Sequence, residues 1–179
     1  MATPTTLPAS FVAGNVLQAA QLNDLRGAFR ILQVVSTTKT DTYTHSTGVT
    51  FSNVTGLAAT ITPSSTSNKI LIYVNIFTAA NNGGTYVKVT GGNAASWVGD
   101  AASNRTRTAF ANGVPAVGGL TGAGFYLDSP ASTSAITYQV QIAAADNTTT
   151  TYVNRYSADT DNAANPRTTS TITVMEISA

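Results

Sequence analysis

The chain has 179 residues, 42% of them hydrophobic and only 9% charged, with a formal net charge of +1 and no cysteine. That length suits one domain with a short extension. Nine basic residues scattered from Arg26 to Arg167 form no stripe that could follow a phosphate backbone, which argues against a nucleic-acid partner. The absence of cysteine removes disulfides and thiolate metal sites.

Residues 1–30 differ in character from the remainder of the chain. Leu7, Phe11 and Val12 read as an extended arm in which Pro4 and Pro8 exclude a helix. From Val16 to Arg30, Leu22, Leu25 and Phe29 fall at spacings of three and four, which predicts one short amphipathic helix. Met1 to Ser10 lacks the basic-then-apolar order of a secretory leader, and no stretch approaches the roughly 20 apolar residues of a membrane span.

After residue 30 the chain is rich in Thr, Ser, Asn, Ala and Gly, residues that suit strands and tight turns. Strands are expected over 31–37, 48–51, 57–62, 69–78, 85–90, around 107–110, and over 119–127, 135–143, 151–156 and 169–177. Asn81-Asn82-Gly83-Gly84 predicts a hairpin joining the fourth and fifth of these. Short strands at this spacing predict an all-β sandwich or jelly roll over 31–179, carried by the arm and helix of 1–30.

Two alternation patterns carry more than fold class. In 135–143, Ile136, Tyr138, Val140 and Ile142 share one face, with Thr137, Gln139 and Gln141 opposite, as in a half-buried strand. In 69–78, Ile70, Ile72, Val74 and Ile76 form one face while Leu71, Tyr73 and Phe77 occupy the other. Met175 and Ile177 repeat this behind Ile172 and Val174. A sandwich has one interior, so both sides being apolar calls for a second cover. The expectation is self-association through Leu71, Tyr73, Phe77, Met175 and Ile177, with the helix or the loops of 93–117 as the competing cover.

Chemistry is hard to find. His45 is the only histidine and the eight acidic residues are dispersed, so no catalytic residue, metal ligand or cofactor site is assigned. Asp159-Thr160-Asp161-Asn162 spaces oxygens as a calcium loop does but lacks that loop's glycine and distal glutamate. Trp97, Tyr152 and Tyr156 are expected as exposed rings that either stack on a glycan or receptor or close the protein's own packing.

Three stretches carry a family resemblance. Phe11 to Asn23 (FVAGNVLQAAQLN) resembles a segment near the start of many phage fibre and virion structural proteins. Val54 to Leu57 (VTGL) followed by Ala59 to Ile72 (ATITPSSTSNKILI) is similar to a signature of structural proteins from marine and cyanobacterial phages. Tyr152 to Arg155 (YVNR) and Thr168 to Ile177 (TTSTITVMEI) resemble the same group's C-terminus. The resemblance implies a trimeric jelly-roll head, tumour-necrosis-factor/C1q-like, on the surface of a virion and without an active site. It implies a fibre or spike for host attachment, with capsid decoration as the alternative and a glycan-binding or glycan-cleaving tailspike domain as a remote one. Leu7, Phe11, Val12, Leu22, Leu25 and Phe29 would anchor the chain to other virion proteins of the capsid or tail. The expected partners are further copies of the chain, those virion proteins and a host surface glycan or protein, with neither nucleic acid nor membrane.

Overall fold

The computed structural model describes residues 31–113 and 118–179. The expected arm, helix and anchoring residues Leu7, Phe11, Val12, Leu22, Leu25 and Phe29 lie outside them. The described residues form ten strands: β1 (Ile31–Lys39), β2 (Tyr43–His45), β3 (Ser52–Ile61), β4 (Lys69–Ala80), β5 (Gly84–Thr90), β6 (Phe110–Gly113), β7 (Leu120–Asp128), β8 (Ile136–Ala144), β9 (Thr151–Val153) and β10 (Ser170–Ile177). One short 3-10 turn, Ala94–Ser96, follows β5.

The strands lie in two antiparallel sheets. The first runs β1-β10-β4, with β7 on the other side of β4 and the short β9 and β2 continuing from the far end of β4. The second runs β3-β8-β5-β6. The fold is therefore all-β and sandwich-like.

Alternation explains why the sheets face each other as they do. Ile70, Ile72, Val74 and Ile76 of β4 are fully buried and meet Tyr138, Val140 and Ile142 of β8, Val87 and Val89 of β5, and Leu57 and Ile61 of β3 in one core. Each such buried side chain contributes about 1.5–3 kcal/mol relative to exposure. Ile172 and Val174 of β10 complete the same layer.

Two expectations need correction. Asn81 to Gly84 does not close a hairpin, because β4 and β5 belong to different sheets and the turn carries the chain across the core. The strand expected at 48–51 is a turn, and β2 and β3 flank it. Gly48 there takes φ +63°, outside the range of a strand, and a Cβ on it would collide with Asn147.

Candidate functional site

The two outer faces of the sandwich differ in chemistry. On the second sheet polar side chains pair across the outer face: Thr60 with Thr137 at 2.7 Å and Gln141 donating to Asn53 at 2.7 Å, while Lys88 lies over the Phe51 ring at 4.1 Å. That face suits water.

The outer face of β1-β10-β4-β7 is different. The strand register places Val34, Met175, Leu71 and Leu127 in one row across four strands. The next row is Ser36, Thr173, Tyr73 and Phe125, and the third is Thr38, Thr171, Asn75 and Ala123. None of these twelve side chains is charged. Phe125 is 74% exposed, Val34 54% and Leu127 48%, while Leu71, Met175 and Ile177 are half-buried. A further row runs through Ile31 and Ile177 to the exposed Lys69 of β4. The first row and the Tyr73 and Phe125 half of the second are apolar, whereas Ser36 and Thr173 bond each other at 2.8 Å; exposed apolar clusters of this kind are common at interaction surfaces.

Of the residues expected to form an interface, the structure brings Leu71, Tyr73, Met175 and Ile177 onto this one face. Phe77 shares their side of β4 but is only 8% exposed, because Tyr156 stacks on it at 5.9 Å between ring centroids. Its cover is therefore internal. Val34, Phe125 and Leu127 were not singled out from the sequence. Their signal was present in the alternation of Gly124-Phe125-Tyr126-Leu127, which places Phe125 and Leu127 on one side.

Beside this face is an open hollow of about 460 Å³ lined by Tyr73, Trp97, Ala109, Phe110, Ala123, Gly124 and Phe125. Trp97 does not project from a loop as an isolated ring. It stacks on Tyr126 with centroids 5.7 Å apart and planes 8° from parallel, and also meets Phe110. Gly124 makes this possible, since a Cβ there would lie 2.8 Å from the indole. Tyr152 is half-buried with the Arg155 guanidinium 4.0 Å above its ring, and Tyr156 is occupied with Phe77. The three expected receptor-contact rings thus each pack against another side chain of the same chain.

The polar interior is organised by three buried side chains. Glu176 projects inward from β10, is 1% exposed, and accepts bonds from the Ser64 amide (2.7 Å) and hydroxyl (2.8 Å), Asn68 Nδ2 (2.6 Å) and Gln33 Nε2 (2.6 Å). Burial pushes its carboxyl up. The bonds from Asn68, Gln33 and Ser64 outweigh that and bring it down to about 2. Asn154, fully buried with φ +62°, donates to the carbonyls of Lys39 and Asp41 and accepts from Ser170 Oγ. Asp128 accepts from Tyr138 Oη (2.6 Å) and the Asn93 amide (3.1 Å), and burial with this bond pushes the Tyr138 phenol well above its ordinary range. Each joins segments far apart in sequence.

His45, the last residue of β2, is buried, with Nε2 3.0 Å from the Gly48 carbonyl oxygen and Nδ1 3.3 Å from the Thr47 hydroxyl. Asp159 is bonded by Arg167 at 2.7 Å, so the loop considered for calcium holds a guanidinium against its first carboxylate. Among the described residues no group of three or more His, Asp or Glu side chains is gathered in a way that could hold a metal ion. No helix among them is long and apolar enough to cross a membrane.

No model of a known protein family matches this chain, and no curated protein matches it either.

Proposed function

We propose that this chain is a structural protein of a bacteriophage particle, acting as a homotrimeric β-sandwich knob held to the virion by residues 1–30 and exposed as a fibre or spike component for host attachment. The observation that carries the assembly half of this reading is the contrast between the two outer faces. One carries cross-paired polar side chains; the other has Phe125, Val34 and Leu127 standing in solvent, with Lys69 at its margin. Identical neighbours are the simplest cover for a face repeated on every copy.

The connectivity supports a jelly roll of the tumour-necrosis-factor/C1q type. Leaving the short β2 and β9 aside, the sheet orders are β1-β10-β4-β7 and β3-β8-β5-β6, the arrangement expected of eight strands wound as two Greek keys. The virion half of the reading rests on the sequence resemblance. Two of the stretches that carry it meet in space, where Ser64 and Asn68 of the first clamp Glu176 of the second.

The test is incorporation. Antibody against residues 31–179 should label phage particles, and deleting residues 2–30 should leave a folded oligomer that particles no longer take up. Unlabelled particles, or undiminished uptake of the truncated chain, would contradict the proposal. The number of copies per particle separates a tail position, with few, from capsid decoration, with many.

A further inference from the structure

We infer that Asn82 is a site of spontaneous backbone-assisted deamidation, and that the fold exposes it while protecting the chain's second Asn-Gly pair. This inference does not depend on the proposed virion role. The sequence contains two such pairs, Asn82-Gly83 and Asn112-Gly113. In each, the glycine nitrogen can in principle attack the preceding side-chain amide without hindrance from a Cβ. What separates them is structure.

Asn82 and Gly83 are both exposed, in the crossing between β4 and β5, and Gly83 takes φ +62°. Neither the Asn82 side chain nor the Gly83 amide has a hydrogen-bond partner among the described residues. Their neighbour Asn81 is held on both sides, its amide donating to the Thr150 carbonyl at 3.1 Å and its Oδ1 accepting from the Thr150 amide at 2.8 Å. The freedom is thus confined to the tip of the turn. Asn112 is 7% exposed within β6, and its Nδ2 donates to Thr78 Oγ1 at 2.8 Å. It pairs with Thr85, and Gly113 pairs with Gly84, so its backbone cannot fold back toward its own side chain without breaking the ladder.

The reaction needs only hydroxide and water. Hydroxide removes the Gly83 amide proton, and the nitrogen attacks Cγ of Asn82. The N–Cγ bond forms, the Cγ–Nδ2 bond breaks, and ammonia leaves after taking a proton from water. Water then opens the five-membered imide at either carbonyl, leaving an aspartyl or isoaspartyl residue at position 82. No electrons are exchanged, and each event adds one negative charge. That charge arises beside Gly83, where a Cβ would lie 3.5 Å from Oδ2 of Asp146, so it adds to an existing carboxylate at this end of the sandwich.

The full chain, kept folded in mildly alkaline buffer, should convert at position 82 several-fold faster than at position 112 when its peptides are mapped by fragmentation mass spectrometry. In concentrated urea the two positions should convert at similar rates, and N82Q should abolish the more acidic species formed by the folded protein. Equal or faster conversion at position 112 in the folded chain would overturn the inference. So would an Asn82 that stays intact while the urea-unfolded chain converts there, because the turn would then be holding it.

Discussion

Glu176 shows how one side chain ties the fold to pH. Its folded carboxyl is depressed from 4.5 to about 2, so its contribution is fully present above the unfolded value and is lost as pH falls through the folded one. Allowing for solvent screening, such a shift corresponds to about 1–3 kcal/mol. Denaturant midpoints should therefore fall steeply as pH drops from about 4.5 toward about 2. In E176Q that fall should flatten, and the neutral-pH stability should already be lower by about 2–4 kcal/mol, because an amide presents two donors to a pocket built of donors. An unchanged pH profile in E176Q would place the acid sensitivity elsewhere. The role of Glu176 is only half legible in sequence. A lone acid on the same side of β10 as Ile172 and Val174 signals a buried charge, but Ser64, Asn68 and Gln33 are more than a hundred residues away and no spacing points to them.

Alternation made β4, β8 and β10 readable, because a period of two assigns each side chain to a face without knowledge of the partner strand. Pairing is another matter. The turn chemistry of Asn81 to Gly84 suits a hairpin, yet β4 pairs with β10 and β7 while β5 pairs with β8 and β6. Local turn residues fix the bend, and burial of Val87 and Val89 against the core decides the sheet. The glycines of β7 open that strand to side chains, since the atoms nearest a Cβ at Gly122 and Gly124 belong to the side chains of Asn112, Trp97 and Phe110. Gly124 lies beneath Trp97, with the Phe110 ring 3.2 Å from where a Cβ would sit. Gly124→Val should cost about 1–3 kcal/mol through overpacking. Since Trp97 is the only tryptophan, its displacement should be visible as a red-shifted emission, and an unshifted spectrum with full stability would refute this packing.

For the molecule as a whole, the sequence pattern indicated that one sheet is apolar on both sides but not how much of the second side stays open. Phe77 is closed by Tyr156, whereas the rows through Leu71 and Tyr73 end in Val34, Leu127 and Phe125 at the sheet margins. Those marginal residues come from strands whose neighbourhood depends on the complete fold, so only the register joins them into one surface. Phe125 offers the cleanest probe. At 74% exposure it supports little of its own subunit, and its replacement by Asp should leave folding stability within about 0.5 kcal/mol. The decisive measurement is the solution mass of the full chain and of Phe125→Asp by sedimentation at micromolar concentration. The proposed homotrimer, assembled through this face, predicts three chain masses for the unaltered protein and one for the folded variant; an unaltered protein that sediments as a single chain would contradict it.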